Sequence, residues 1–336
     1  MTHRRAVVVL ALSCGICVSH AHTPVQTPVF RTTTDLVSVD VSVTNGRAPI
    51  AGLTSADFGL TDNGVRQDVE ATSLETIPVD VTVVLGAAPF QDKDQLVRSQ
   101  VSGDQVWSML HPNDRLRLIT AGGEVRGGPI TRENHGPMAE DKIHPTAGNS
   151  LNDALFLALA WPVDADRRHL VVVFTDGFDT WSTLDSARLP LIAGRADAVL
   201  HAVLWATPPK EVVPEPGSDQ AMLQGPTPGP RPPDTGLFSP TYAPGKISGA
   251  MSPQQAGRWR ESYRALDQAV RNSGGALHLI TAGVNSFQQI LDDFRSSYVL
   301  RYTPRGVART GWHDIKVTLA RSGSFTIRAR KGYEGG

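Results

Sequence analysis

One carboxylate in this sequence stands where a polar side chain can do chemistry. Asp176 follows residues 170–175, which begin with five apolar residues in succession and predict a strand buried on both faces of a parallel sheet. In open α/β sheets, ligands bind outside the carboxyl ends of the strands. Asp176 is therefore a candidate metal ligand or polar contact, although an aspartate here can also accept N–H bonds within its own turn.

Further polar and aromatic residues are expected at the same sheet edge. Asn149 and Ser150 stand at the start of a predicted helix over 150–161, which either residue can cap. Aromatic side chains at positions 90, 178 and 181 would crown the edge, where they either form an apolar contact surface or pack on one another. The candidate partner-binding residues are Asn149, Ser150, Asp176, Phe178, Asp179 and Trp181.

Motifs for other chemistries are absent from the sequence. The ten histidines show no zinc-ligand spacing, and the chain has neither a Gly-x-Ser-x-Gly elbow nor a Gly-x4-Gly-Lys phosphate loop. The formal net charge of −1 comes without the concentrated basic face of a nucleic-acid-binding protein. Arg328, Arg330 and Lys331 are interpreted as a basic strand edge that blocks unwanted strand addition, in preference to a polyanion-binding site. These observations favour a non-enzymatic protein that binds no nucleic acid.

The first 21 residues have the pattern of an export signal. Two arginines precede an apolar run over 6–18, which ends in a small-x-small cleavage site. The run is shorter than the ~20 residues of a spanning helix, so we expect an exported chain with no stable membrane span. Its destination would be the periplasm, the cell surface or the medium. Cys14 and Cys17 both lie in this segment, so the mature chain would contain no cysteine; lipid attachment at Cys14 is a minor alternative.

The region 78–296 alternates predicted strands and helices. Continuous apolar runs indicate the strands, and apolar residues spaced at about 3.6 indicate the helices. Residues 208–245 hold 11 of the 24 prolines without a hydrophobic period, and are predicted to be a disordered loop. The whole pattern predicts a doubly wound, mostly parallel α/β sheet. The predicted strands are 79–85, 115–120, 170–175, 198–205 and 276–281, and the predicted helices are 95–110, 150–161, 184–195, 253–273 and 285–294.

Both ends of the chain beyond the signal have a β pattern instead. Residues 35–43 alternate polar and apolar side chains with period two, as a half-buried strand does. Residues 297–334 contain three further predicted strands with no helix between them. We therefore expect the amino-terminal module, residues 30–75, to pair with these carboxy-terminal strands in one β-sandwich.

The sequence resembles von Willebrand factor type A domains, and more narrowly the bacterial exported VWFA-related proteins. The likeness lies in the predicted sheet order, in Thr175-Asp176-Gly177, and in stretches that span nearly all of the mature chain. These stretches are Phe30-Arg31, Leu36-Val37, Val39-Asp40-Val41, Gly52-Leu53-Thr54, Asp57-Phe58, Asp62-Asn63-Gly64, Ser273-Gly274-Gly275, Ser297-Tyr298-Val299-Leu300, Tyr302, Pro304, Arg328 and Arg330-Lys331-Gly332-Tyr333. The resemblance implies a Rossmann-like fold and a role in protein interaction.

The resemblance also implies a divalent-ion site, which this sequence has largely lost. Such domains hold the ion with an Asp-x-Ser-x-Ser loop, a threonine and a second aspartate. By the family's register the first loop falls on Gly86, Ala88 and Phe90, so it offers no side-chain oxygen. Asn149 stands where threonine is usual, and only Asp176 is retained. Because Mg²⁺ prefers six oxygen ligands, we expect a degenerate site with no functional metal and no other cofactor.

The leading hypothesis is therefore a metal-independent protein-interaction module with an unknown protein partner at the cell envelope. The partner would bind at the carboxyl edge of the sheet, around Asn149, Asp176 and Trp181, or at the Pro-rich loop over 208–245. An alternative is a Mg²⁺-dependent adhesion module, in which Asp153, Asp179 and waters complete the ligand set. A third hypothesis, a hydrolase that uses Asp176 and a histidine, has no supporting residue pairing in the sequence.

Overall fold

The computed structural model describes residues 36–46, 48–73, 77–86, 103–128, 130, 148–162, 164, 166–204, 253–280 and 285–335. Its strands are β1 (Val37–Asn45), β2 (Ala48–Pro49), β3 (Phe58–Asp62), β4 (Val65–Gln67), β5 (Glu70–Ser73), β6 (Val79–Gly86), β7 (Arg115–Ala121), β8 (Val125–Gly127), β9 (Arg168–Thr175), β10 (Val199–Leu204), β11 (Leu277–Leu279), β12 (Tyr298–Tyr302), β13 (Gly311–Leu319), β14 (Thr326–Ala329) and β15 (Gly332–Gly335). Its α-helices are α1 (Gly103–Met109), α2 (Leu151–Leu159), α3 (Leu189–Arg195), α4 (Pro253–Ser273) and α5 (Ser286–Arg295).

The central sheet is open and doubly wound. Within the described residues its strand order is β11-β10-β9-β6-β7-β8. All neighbouring strands are parallel except β8, which runs antiparallel to β7 at the edge. The order reverses between β6 and β9, so these two strands form the topological switch point at which such sheets bind ligands. The predicted mostly parallel α/β sheet is confirmed.

Apolar side chains on both faces of the sheet explain this layering. β6 and β9 are buried along their whole length. β9 carries an unbroken apolar run over 170–174, whereas the apolar residues of β6 are interrupted by the buried Asp80 and Thr82. Helices α1 and α5 pack on one face around Val106 and Phe287. Helices α2, α3 and α4 pack on the other face around Leu155, Leu189 and Leu266.

Two antiparallel sheets join strands from distant parts of the chain. One sheet has the order β14-β1-β12-β5, with β2 attached to β1, and the other has the order β15-β13-β3-β4. β1 pairs with β12 so that Val37 lies opposite Tyr302. The apolar positions of the alternating strands share a core that includes Val39, Phe58 and Leu300.

A buried carboxylate connects these two sheets. Asp62 of β3 accepts hydrogen bonds from the hydroxyls of Tyr302 (2.9 Å) and Tyr333 (3.0 Å). Its other oxygen lies 2.7 Å from Nδ1 of His313. Burial raises the pKa of Tyr333 to about 12, and its hydrogen bond to Asp62 acts in the same direction, so this hydroxyl remains a donor at neutral pH. The network fixes the position of β15, which carries Tyr333.

The guanidinium of Arg168 joins the central sheet to the antiparallel strands. At the start of β9, its Nε donates to Asp40 of β1 over 2.8 Å. Nη1 donates to the carbonyl of Phe294 (2.9 Å), and Nη2 donates to Oγ of Ser297 (2.7 Å). The guanidinium also lies 3.7 Å from the ring centroid of Phe294. One buried side chain therefore contacts β1, the end of α5 and the residue before β12.

Glycines end helix α4 as the sequence predicts. Gly274 has a φ of +90°, and the N–H of Gly275 donates to the carbonyl of Val270 over 3.0 Å. A Cβ on Gly275 would lie only 1.8 Å from the carbonyl oxygen of Leu200. The glycine thus lets the chain pass directly over β10 before it enters β11.

Some predicted boundaries and contacts differ in the structure. The short strands β5, β8 and β15 were not predicted, because they contain few apolar residues and depend on their partner strands. Arg328 lies on β14, which is an edge strand of its sheet, and its guanidinium donates to Asp293 of α5 and to Ser42 of β1. The predictions for residues 1–21, Phe90, residues 95–102 and residues 208–245 lie outside the described part of the chain. Within that part, no helix is both long and apolar enough to span a membrane.

Buried histidines predict a loss of stability in acid. Burial lowers the pKa of His169 to about 4, and the nearby charge of Arg117 also opposes protonation. Burial likewise lowers the pKa values of His201 and His278, whose facing ring nitrogens lie 3.1 Å apart. Below about pH 6.5 the unfolded chain therefore binds protons that the native chain does not bind. For His169, we expect the free energy of unfolding to fall by up to about 1.4 kcal/mol per pH unit as the pH drops from about 6.5 towards 4. The lowered pKa values of His201 and His278 act in the same direction.

Urea unfolding followed between pH 7.5 and 4.5 measures this dependence. His169→Gln should reduce the slope of unfolding free energy against pH, because one proton-binding group is removed from the unfolded chain. His111→Gln is the control, since His111 is exposed. The same slope in His169→Gln as in the unaltered chain would contradict the explanation.

Candidate functional site

The carboxyl ends of β6 and β9 place the candidate residues at one sheet edge. The two strands are parallel neighbours, with Leu85 opposite Phe174, so their carboxyl ends lie at the same edge of the sheet. Asp176 follows β9, and residues 148–150 reach the same edge just before α2. The loop over 176–184 connects to these residues through backbone and side-chain hydrogen bonds. The structure therefore brings together all six residues predicted to form the partner-binding site.

Asp176 is largely buried and shapes its own turn. One carboxylate oxygen accepts the N–H of Phe178 over 2.9 Å, and the next residue, Gly177, has a φ of +75°. The backbone carbonyl of Asp176 accepts the indole N–H of Trp259 over 2.8 Å. This geometry is that of an aspartate turn anchored to helix α4. It supports the structural interpretation of Asp176 that the sequence left open.

Asn149 fastens the same loop from the other side. Its amide nitrogen donates to the carbonyl of Phe178 over 2.8 Å, and its backbone N–H donates to Oγ1 of Thr180 over 2.8 Å. Its backbone carbonyl accepts the N–H groups of Thr180 and Trp181. Among the described residues, its buried side-chain oxygen Oδ1 has no hydrogen-bond partner. Asn149 thus fixes the backbone from which Trp181 projects.

The prediction that Asn149 or Ser150 caps helix α2 with its side chain is wrong. Ser150 occupies the N-cap position but makes no side-chain cap bond. The free N–H of Asn152 is instead accepted by the carboxylate of Asp179 over 2.8 Å. The N–H of Asp153 is accepted by Oγ of Ser182 over 3.1 Å. A helix end needs acceptors for its first N–H groups, and here the 176–184 loop supplies them.

The contact between loop and helix is reciprocal. The carboxylate of Asp153 accepts the N–H groups of Thr183 (2.9 Å) and Leu184 (2.8 Å). Asp179 also accepts the N–H and the hydroxyl of Ser182. Both carboxylates are therefore used to hold the loop against α2.

The described residues do not fit a Mg²⁺ ion. Gly86 offers no side-chain oxygen, and a Cβ there would lie in tight contact with Oγ1 of Thr175 (3.0 Å) and the carbonyl oxygen of Phe174 (3.1 Å). Asp153 and Asp179 are occupied by the hydrogen bonds described above. In the part of the chain that the structure describes, no three His, Cys, Asp or Glu side chains converge as metal ligands. A hard cation that prefers six oxygens lacks most of its ligands here.

Among the described residues, the two edge aromatics Phe178 and Trp181 form no ring pair with each other. The ring of Phe178 packs against Trp259 of α4, with centroids 5.9 Å apart. Trp181 lies over Gly148, where a Cβ would approach its ring to 2.2 Å, and 54% of the residue remains exposed. Gly148 thus makes room for an indole that presents its outer face to solvent.

A pocket of about 400 Å³ opens between this loop and the start of α4. Four loop residues and two helix residues line it: Phe178, Asp179, Thr180, Ser182, Gln255 and Arg258. Five residues in or beside this pocket were not among the predicted site residues: Thr180, Ser182, Gln255, Arg258 and Trp259. For Thr180 and Ser182, the sequence gives only a weak signal, which is that polar residues follow Asp176. No sequence pattern connects Gln255, Arg258 and Trp259 with the 176–184 loop, which lies about 80 positions earlier in the chain.

Comparisons with known proteins find likeness only at the level of structure. No family model and no curated protein matches the sequence. An aerotolerance-related membrane protein from Bacteroides fragilis is 13% identical with a TM-score of 0.41, over 65% of this chain and 98% of that one. BatB from Bacteroides thetaiotaomicron is 15% identical with a TM-score of 0.37, over 64% and 96%. A von Willebrand factor type A protein from Catenulispora acidiphila is 10% identical with a TM-score of 0.34, over 83% and 73%.

These values describe distant likenesses, so the fold is described from the topology of this chain. The strand order reverses at β6 and β9, the edge strand β8 is antiparallel, and helices cover both faces. The sequence resemblance noted above points to the same fold. The α/β part of this chain therefore has the doubly wound, mostly parallel sheet that the resemblance to von Willebrand factor type A domains implies.

Proposed function

We propose that the chain is an exported, non-enzymatic protein-interaction module. Its von Willebrand factor A-like domain would bind a protein partner of the cell envelope through the carboxyl edge of the sheet, without a metal ion. Strands from both ends of the chain would form the β-sandwich that carries this domain. The observation that carries the proposal is the exposed indole of Trp181, held on a loop that hydrogen bonds fix at several points.

The fixed loop suits partner binding. An exposed tryptophan is a large amphipathic contact, and such residues dominate the energy of many interfaces. The backbone of Trp181 is already bound to Asn149, and Asp179 and Asp153 tie the loop to α2. A loop that is ordered before binding loses less conformational entropy when the complex forms.

A co-purification experiment from the cell envelope tests the proposed surface. The unaltered chain should retain a partner that Trp181→Ala loses, with a fall in affinity of at least about tenfold, as expected for a central aromatic contact. Trp161→Ala is the matched control, because Trp161 is also an exposed tryptophan but follows the far end of α2. Equal loss of partner in both variants, or in neither, would contradict the proposed surface. A variant without residues 208–245 tests the Pro-rich segment as the alternative binding surface.

Calorimetric titration with Mg²⁺, Mn²⁺ and Ca²⁺ tests metal independence. We expect no micromolar binding, because Asp153 and Asp179 are used within the protein and Gly86 offers no ligand. Partner binding should also be insensitive to EDTA. The Mg²⁺-dependent alternative requires the opposite results: micromolar binding that Asp176→Ala abolishes, and loss of the partner in EDTA.

A further inference from the structure

The pocket between the 176–184 loop and α4 is lined by one arginine, Arg258, that no acidic side chain of the described residues neutralises. Arg258 is exposed on the first turns of α4, and the described residues give it no hydrogen bond or ion pair. Two other arginines of this helix are engaged. Arg260 donates to the carbonyl of Ala256, and Arg271 pairs with Asp267. Arg258 is thus an available guanidinium on the wall of a pocket.

The carboxylate of Asp179, which also lines the pocket, already accepts hydrogen bonds from within the protein. Asp179 accepts the N–H of Asn152, the N–H of Ser182 and the hydroxyl of Ser182. These bonds satisfy both of its oxygens from within the loop and helix α2. A planar guanidinium matches a carboxylate in geometry and charge, and can donate two parallel hydrogen bonds to it.

Thr180 adds a second donor to the same pocket. Its Oγ1 accepts the backbone N–H of Asn149, which leaves the hydroxyl hydrogen available for another acceptor. The adjacent ring of Phe178 gives one apolar wall. The pocket therefore combines a guanidinium, a hydroxyl donor and an aromatic surface, which together suit a carboxylate attached to an aliphatic stem.

We propose that this pocket binds an aspartate or glutamate side chain of the partner polypeptide, with Arg258 as the charged contact and Thr180 as the second donor. This assignment rests on the proposed function and names the partner's chemistry. A phosphorylated side chain suits the pocket less well. Its dianion is usually bound by a cluster of arginines, whereas here a single arginine shares the pocket with the carboxylate of Asp179.

An array of immobilised 12-residue peptides tests the assignment. The central position is Glu, Asp, Gln, Asn, phosphoserine or Lys, and the flanking residues are varied and include aromatic ones. The full chain should bind peptides with central Glu or Asp at least about tenfold better than those with Gln or Asn, as expected for a charge-assisted contact. Arg258→Gln should lose this preference, and Arg258→Glu should shift it to Lys. Arg264→Gln, at another exposed arginine of α4, should behave as the unaltered chain.

The outcomes separate this assignment from the proposed function. If Arg258→Gln keeps the preference for acids, or if phosphoserine is preferred, the pocket assignment is wrong. If no acidic peptide binds at about millimolar concentration, the assignment is also wrong. In each of these cases, loss of the envelope partner in Trp181→Ala would leave the proposed function standing. If the partner tolerates Trp181→Ala as well as Arg258→Gln, both proposals fail.

Discussion

Replacing Gly275 with alanine should lower the free energy of unfolding by at least about 3 kcal/mol. The added Cβ would lie 1.8 Å from the carbonyl oxygen of Leu200 and 2.7 Å from its carbon. These are backbone atoms of β10, which cannot move aside as a flexible side chain can. Relief of the clash requires a shift of β10 or of the α4–β11 connection, and either shift disturbs packing in the centre of the domain. Denaturant unfolding at pH 7 measures the loss.

Gly257→Ala is the control, and its effect should have the opposite sign. Gly257 lies inside the same helix, and a Cβ there would meet no atom within 4 Å. Alanine is favoured over glycine in a helix interior, so stability should rise by roughly 0.5–1 kcal/mol. Similar values for the two variants would show that the contact with Leu200 does not determine the cost.

Arg168→Met should cost about 3 kcal/mol of unfolding free energy. The substitution keeps much of the aliphatic stem but removes every donor to Asp40, Phe294 and Ser297. Asp40 then loses the charge that compensates its carboxylate. That side chain is 30% exposed, so solvent screening places the expected cost at the low end for a broken buried ion pair. Arg168→Lys should restore only part of the loss, because one ammonium group cannot reach three acceptors in different directions.

A double-mutant cycle separates the ion pair from the remaining contacts. Arg168→Met combined with Asp40→Asn should cost less than the sum of the two single variants, because each variant removes the same pair. Arg271→Met is the surface control. Its ion pair with Asp267 lies on an exposed helix face, so its removal should change stability by no more than about 0.5 kcal/mol. A cost for Arg168→Met as small as that would show that this junction contributes little to stability.

The α/β sheet was predictable because its signals are local. The central strands β6 and β9 are rich in apolar and β-branched residues, and α4 ends at a glycine pair whose conformational freedom the structure uses. The shorter strands lack such a signal. β8 and β15 read Val-Arg-Gly and Gly-Tyr-Glu-Gly, and only pairing with β7 and β13 makes them strands.

The candidate site was predictable as a set of residues but not as a set of contacts. Chain topology brings Asn149, Asp176 and Trp181 to one sheet edge, and this followed from the positions of the strand ends. The cap that Asp179 gives to Asn152 depends on the path of a loop, which residue spacing does not encode. The contact between Trp259 and Asp176 joins two elements far apart in the sequence. The same holds for Arg328, whose partner Asp293 becomes apparent only in three dimensions.

The pairing of β1 with β12 and β14 has a consequence for the order of events during synthesis. All strands of the central sheet leave the ribosome before Tyr298, so that sheet can form while β1 still lacks its partner strands β12 and β14. Until the last strands emerge, the alternating valines of β1 form an unpaired edge that can join another chain. We therefore expect a holding chaperone to bind the nascent chain at β1. The pairing of β1 with β12 and β14, which are distant in sequence, should be the slow folding step.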